Sequence, residues 1–242
     1  RSLPRKLAGI DKVEWLIIDD GSTDNTAQAA KLNGVDHIIR LTNHQGLAKA
    51  FIAGIDACLR RGADIIVNTD ADNQYCAECI PELIGPILNK KADIVIGARP
   101  INTIKNFSLT KKLFQKLGSW VVRIFSRTSL PDAPSGFRAF SREAALKINI
   151  FSDYTYTIES IIQAGHKNMA IVSVPIRVND FVRPSRLVKS NFSYIRNSLS
   201  TITRIFGIYQ PFLFFFRIGL FFICIGLIIG IRFLYYFLFR TR

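Results

Sequence analysis

From Phe212 to Ile231 the chain runs through twenty consecutive residues that are apolar or glycine, broken only by Arg217 and the weakly polar Cys224. Coiled as a helix, such a run is about 30 Å long, the thickness of a bilayer's hydrocarbon core. A buried helix of a water-soluble domain is rarely so long and so apolar on every face. The segment 211–242 is therefore expected to cross a membrane, with Arg217 snorkelling to the interface. Phe233–Phe239 is apolar but too short to span, and reads as the start of a second membrane helix. The rest of the chain must then fold in water beside that membrane.

Charge points the same way. The chain carries 32 Lys and Arg against 18 Asp and Glu, a net +14. Ten basic residues lie between Arg99 and Lys147 against only Asp132 and Glu143, and a second block (Arg183, Arg186, Lys189, Arg196, Arg204) directly precedes the apolar run. Such an excess calls for a polyanionic partner. No aromatic or Gly-rich recognition element accompanies these charges, so nucleic acid is not expected. Membrane lipid is the expected partner, and basic residues before the span place the preceding domain on the cytoplasmic side. The apolar content of 49% excludes a disordered chain, and four cysteines in 242 residues exclude a disulfide-built scaffold. The opening at Arg1, without Met or a signal pattern, reads as a fragment or a processed chain.

Within residues 1–182 two periods alternate. Val13–Ile18, Val35–Leu41, Ala63–Asn68, Ala92–Ile96, Phe137–Phe140 and Ala170–Val178 are short apolar runs bounded by polar residues, which predict strands. Thr26–Leu32, Gly46–Arg61, Ile80–Leu88 and Tyr156–Ala164 have helical stripes. Alternation of this kind predicts an α/β domain with a mainly parallel sheet and flanking helices, whose ligands sit at the carboxyl ends of the strands. Ser108–Phe125 and Leu187–Phe206 are basic and amphipathic; the first is expected either on the domain surface or on a membrane. The second falls within a basic juxtamembrane segment, 183–210.

The chemistry-bearing residues fall at the predicted strand ends. Asp70-Ala71-Asp72 follows the third strand, where two carboxylates can converge on one ligand. Hard oxygen donors without a nearby His or Cys favour Mg²⁺ or Mn²⁺ over zinc, and such an ion would neutralise a diphosphate leaving group. By itself this triplet is common on protein surfaces. Asp19-Asp20-Gly21-Ser22-Thr23-Asp24 follows the first strand and would equally serve as a turn and helix cap. Arg99 follows the fourth and could grip a phosphate.

Taken in order, Leu16-Ile17-Ile18-Asp19-Asp20-Gly21-Ser22-Thr23-Asp24, Thr69-Asp70-Ala71-Asp72-Asn73-Gln74, Ile96-Gly97-Ala98-Arg99 and Ser135-Gly136-Phe137-Arg138 resemble the family 2 glycosyltransferases of the GT-A fold. Among these, the chain is similar to the polyprenyl-phosphate glycosyltransferases typified by dolichyl-phosphate mannose synthase. The resemblance implies inverting transfer of a sugar from a nucleotide-sugar donor to a dolichyl or undecaprenyl phosphate, with Mg²⁺ or Mn²⁺ as cofactor. It implies donor recognition by Asp19, Asp20, Asp70, Gln74 and Arg99, and a metal cluster of Asp70, Asp72 and Gln74. Asp72, Asp132 and Arg138 would be catalytic. Arg138, Arg183, Ser185 and Arg186 would hold the acceptor phosphate, and Glu159 would lie on a helix facing the site.

The family's first strand, with its Pro-x-Tyr-Asn-Glu loop, has no counterpart, so the chain is expected to begin after it. The Gln-x-x-Arg-Trp motif of processive synthases is absent, which argues against polymerisation. Cys76-Ala77-Glu78-Cys79 lacks a second pair and reads as structural, and the three histidines have no catalytic arrangement around them. Two alternatives stay open: transfer to a glycolipid hydroxyl, which would need a general base such as Asp132 or Glu159, and a non-catalytic nucleotide-binding membrane protein.

Overall fold

Short runs of branched and aromatic residues form strands when their faces are covered and their ends are released into turns. The computed structural model describes residues 3–100, 130–151, 156–179, 200, 203–204, 207–208 and 211–240. Its strands are β1 (Leu16–Asp19), β2 (His37–Arg40), β3 (Ile65–Asn68), β4 (Ile94–Ala98), β5 (Arg138–Ser141) and β6 (Ile171–Pro175). Between them lie α1 (Thr26–Leu32), α2 (Leu47–Arg60), α3 (Ile80–Leu88), α4 (Arg142–Lys147) and α5 (Thr157–His166). Helix α4 is not apparent in the hydrophobic pattern. It is started locally by Ser141, whose Oγ accepts a hydrogen bond from Ala144 N at 3.2 Å, with Glu143 in the first turn and Lys147 in the last.

The chain divides into two units, Arg1–Ser198 and Leu199–Arg242. In the first, β1 and β2 form a parallel pair with Asp19 opposite Arg40. The other four strands are ordered β3-β5-β4-β6. Strand β6 is parallel to β4, whereas β5 is antiparallel to both of its neighbours. Its Arg138 lies opposite Asn68 on one side and Ile96 on the other. The strand therefore starts, rather than ends, at the edge where β3 and β4 finish.

Successive residues of a strand face opposite sides of the sheet, and β5 illustrates the consequence. Ala139 joins Val95, Leu83, Ile84 and Ile87 in the core beneath α3. Phe140, its neighbour, packs on the other side at 5.8 Å from Phe51 of α2, which in turn stacks on Tyr156 at 3.9 Å. Burying a side chain such as Leu83, fully removed from solvent, contributes about 1.5–3 kcal/mol. Gly97 is closely packed: a Cβ there would meet two carbons of Ile176 at 3.0 Å and Phe137 at 3.2 Å, so these side chains would have to give.

In the second unit Pro211–Arg240 is one 30-residue helix, α6. The predicted break before Phe233 does not occur. No Pro or Gly follows Gly230, and Arg232 alone does not interrupt helical hydrogen bonding. Its span Pro211–Phe239 is long and apolar enough to cross a membrane, and the side chains are largely uncovered, as a lipid-facing helix requires. The segment 108–125, most of 187–206, and the expected acceptor residues Arg183, Ser185 and Arg186 lie outside the described residues.

Candidate active site

The acidic cluster after β1 separates into two roles. Asp20 is fully engaged: its Oδ1 accepts from Gln45 N at 2.7 Å, its Oδ2 accepts from Gly46 N at 2.9 Å, and His44 Nδ1 lies 2.8 Å from Oδ2. It thus holds the amino-terminal end of α2, where backbone N–H groups lack helical partners. Gly21 permits the approach. Its φ is +74°, and a Cβ there would stand 2.7 Å from the backbone of Asn43 and His44. Asp19 differs. It is buried, its Oδ1 accepts from Ser22 N at 2.9 Å, and its Oδ2 has no hydrogen-bond donor, with Arg40 Nε at 3.5 Å. The Ser22 hydrogen bonds hold its carboxyl below the usual carboxylate range. Of the two carboxylates expected at the donor, Asp20 is thus bonded to the start of α2, while Asp19 retains an unsatisfied acceptor.

At the end of β3, Asp70 lies beside the turn that opens β5. A Cβ on Gly136 would meet the Asp70 carboxylate oxygens at 3.3 and 3.4 Å and the Tyr156 hydroxyl at 3.1 Å. A side chain in place of Gly136 would press on Asp70 and Tyr156, which would have to give by a few tenths of an ångström. Burial raises the Asp70 pKa, the Asp72 charge raises it further, and Arg99 and Arg138 oppose the shift. Asp72 is exposed and accepts from Gln74 N at 3.0 Å. The loop between them turns through Asn73 at φ 58°. Asn179 fastens it, donating from Nδ2 to Asn73 O and from its backbone N to Gln74 O, both at 2.9 Å.

Arg99 and Asp132 form a fork. Arg99 Nε and Nη2 donate to Asp132 Oδ2 and Oδ1 at 2.7 and 3.0 Å, and Arg99 N donates to Oδ2 at 3.1 Å. Both side chains are nearly buried, at 9% and 1% exposure. Two further expected residues lie inside the domain. Arg138, assigned by motif to the acceptor phosphate, is wholly buried, and its guanidinium donates to Ser135 O, Ala133 O, Thr157 O and Ser160 Oγ at 2.6–2.7 Å. Burial pulls its pKa down to about 10, so it remains charged. Glu159, expected to face the site, is buried and accepts from Phe151 N at 3.0 Å and Gln163 Nε2 at 3.3 Å. Sequence reasoning passed over Asn68, Tyr75, Tyr156 and Asn179. Only the adjacency of Tyr75 to Gln74, and the place of Tyr156 in the segment that leads to Glu159, marked any of them.

Among the described residues no group of three or more His, Cys, Asp or Glu side chains could enclose a metal ion. A protein-only cage is not what phosphate chemistry requires. Mg²⁺ in such sites is bound by one or two carboxylates, with waters and substrate phosphates completing the shell. Asp70 and Asp72 supply that donor set. The like-charge contribution of Asp72 to the raised Asp70 pKa is the kind that a bound cation would relieve.

An α/β domain with acidic loops after β1 and β3 and an arginine–carboxylate fork after β4 has the architecture of a GT-A glycosyltransferase. The glucosyl-3-phosphoglycerate synthase of Mycobacterium tuberculosis, solved with phosphoglyceric acid, shares this fold, with a TM-score of 0.62 at 20% identity over 80% of this chain and 68% of that one. The chain belongs to the glycosyl transferase family 2, which residues 3–148 match. It is 30% identical to the polyprenol monophosphomannose synthase of Mycolicibacterium smegmatis over 78% of this chain and 74% of that protein. It is 29% identical to the undecaprenyl-phosphate mannosyltransferase of Micrococcus luteus over 72% of this chain and 75% of that protein. A dolichyl-phosphate N-acetylglucosaminyltransferase of Methanococcus voltae, named for a UDP-N-acetylglucosamine donor, is 31% identical over 67% of this chain and 73% of that protein.

Proposed function

We propose that this chain moves a sugar from a nucleotide-sugar donor to a polyprenyl phosphate at the cytoplasmic face of a membrane, aided by Mg²⁺ or Mn²⁺. The named lipid-phosphate transferases among its relatives support the reading, as does the apolar helix Pro211–Arg240 in the same chain. One structural observation favours a phosphate acceptor over a hydroxyl. A hydroxyl acceptor needs a carboxylate free to take its proton. Asp132 already accepts three N–H bonds from Arg99, and Glu159 accepts two from the body of the domain. A phosphate monoester, with a second pKa near 6, carries its own negative oxygen at neutral pH and needs positioning and charge screening instead.

In this reading Asp70 and Asp72 would hold the divalent ion, with Gln74 in the same loop. When bound, the ion neutralises charge on the departing nucleoside diphosphate. Asp19 Oδ2 offers an acceptor to the donor's nucleoside. Asp132 holds Arg99 close enough to Asp70 for their charges to interact, so that the guanidinium adds positive charge near the diphosphate. Arg183, Ser185 and Arg186 are proposed to grip the acceptor phosphate. Arg138 holds the turn beneath the site and is not proposed to touch substrate.

The test uses membranes carrying the full protein, a panel of labelled nucleotide sugars, and extraction of the lipid product. A sugar-1-phosphate lipid is the expected product. Asp72→Asn should lower turnover by about 10²-fold or more, equivalent to about 3 kcal/mol of barrier. A glycoside formed on a glycolipid hydroxyl as product, or full activity of Asp72→Asn in EDTA-treated membranes, overturns the reading.

A further inference from the structure

Gly136 does more than leave room for Asp70. Its peptide is held on both sides by side chains that no motif singled out. Gly136 N donates to the Tyr75 hydroxyl at 3.0 Å. Its carbonyl accepts from Asn68 Nδ2 at 2.8 Å and from the Tyr156 hydroxyl at 3.4 Å, and the same Asn68 amide donates to Tyr156 Oη at 2.8 Å. Both phenols are nearly buried, at 5% and 2% exposure. Their rings are held from behind, Tyr75 stacked on Phe137 at 5.1 Å and Tyr156 on Phe51 at 3.9 Å. Rings fixed in this way place their hydroxyls with little rotational freedom. The Asp70 carboxylate lies over this residue, near enough that a Cβ on Gly136 would meet its two oxygens at 3.3 and 3.4 Å.

We propose that Tyr75 and Tyr156, with Asn68, are positioning residues for the metal-binding carboxylate Asp70, acting through the Gly136 peptide. The inference rests on the reading of Asp70 and Asp72 as the cation site. With its N–H and its carbonyl both bonded, Gly136 is held at the two peptide units that flank it, and this resists displacement of Asp70 above it. Outer-shell partners of this kind commonly govern metal affinity. Because the Gly136 backbone is not left-handed, an alanine there is tolerable in conformation and acts by pushing on Asp70 and the Tyr156 hydroxyl. Tyr75→Phe and Tyr156→Phe remove one oxygen each and keep both ring stacks.

The test measures binding of Mn²⁺ to the full chain in detergent by the loss of the free-ion EPR signal, with a nucleoside diphosphate present. Melting temperature is recorded alongside. Gly136→Ala and Tyr75→Phe should each weaken Mn²⁺ binding by about 10-fold, and Tyr156→Phe should act in the same direction. Transfer activity should recover as Mn²⁺ is raised. Lowered melting temperatures with unchanged Mn²⁺ affinity in the two phenylalanine variants would show a merely structural clamp and overturn the inference. Should Gly136→Ala fail to fold, the phenylalanine variants decide the matter alone. A wild-type chain that binds no Mn²⁺ refutes the cation site itself, a separate outcome from wild type and variants binding equally.

Discussion

Replacing Arg138 by lysine keeps the charge and removes the planar fork, which makes it a sharp test of where that residue acts. Four hydrogen bonds of 2.6–2.7 Å run from its guanidinium to Ser135 O, Ala133 O, Thr157 O and Ser160 Oγ. A lysine ammonium has three donors on one atom and cannot reach acceptors arranged around three nitrogens. Losing about two charge-assisted bonds at about 1.5–3 kcal/mol each gives roughly 3–6 kcal/mol. That is a large part of the ~5–15 kcal/mol by which a domain is stable. At about 2–4 °C per kcal/mol, Arg138→Lys should melt roughly 6–24 °C lower. The assay is the melting curve of the full chain in detergent, followed by tryptophan fluorescence, together with transfer kinetics well below the variant's Tm. KM for donor and for lipid phosphate should match wild type in the folded fraction. An unchanged Tm with transfer lost by about 10²-fold would refute the reasoning, because it would mean that the guanidinium touches substrate after all.

Asp20→Ala should lower stability by about 1–2 kcal/mol, the size of a lost helix cap, while leaving KM for the nucleotide sugar near wild type; a raised KM with unchanged Tm would return Asp20 to the donor site. Asp132→Asn should reduce turnover by releasing Arg99, without abolishing it, and its rate should not acquire or lose a pH limb between about 5.5 and 8; complete loss would identify Asp132 as a general base. Asp19 is held below the ordinary carboxylate range by Ser22, so its stabilisation is fully present above the unfolded value of about 4 and is lost as pH falls through the lower folded one. The stability gap between wild type and Asp19→Asn should therefore shrink on acidification, and a gap that widens would contradict the assignment. Deleting 211–242 should release protein from carbonate-washed membranes at high salt, where basic segments no longer hold it; full retention would move the anchor elsewhere.

The six strands, every helix between them except the short α4, the acidic loops at strand ends and the membrane-length helix could be read from the chain because each depends on residues within a turn or two. Period two or 3.6, a glycine at Gly21 and twenty apolar residues act locally, and the fold respects them. The same locality explains Phe233–Phe239, read as the start of a second helix, which continues the first because no Pro or Gly interrupts the chain after Gly230. What Asp20, Asp132 and Arg138 do was not legible. Their partners lie far along the chain, Gln45 and Gly46 for Asp20, Arg99 for Asp132, Thr157 and Ser160 for Arg138. A guanidinium has the same charge in a motif whether it meets solvent, a phosphate or four carbonyl and hydroxyl oxygens. Only packing selects among them. The reversal of β5 decided most: running antiparallel between β3 and β4, it brings its first residues to their last, and so sets Gly136 under Asp70 and buries Arg138 behind it.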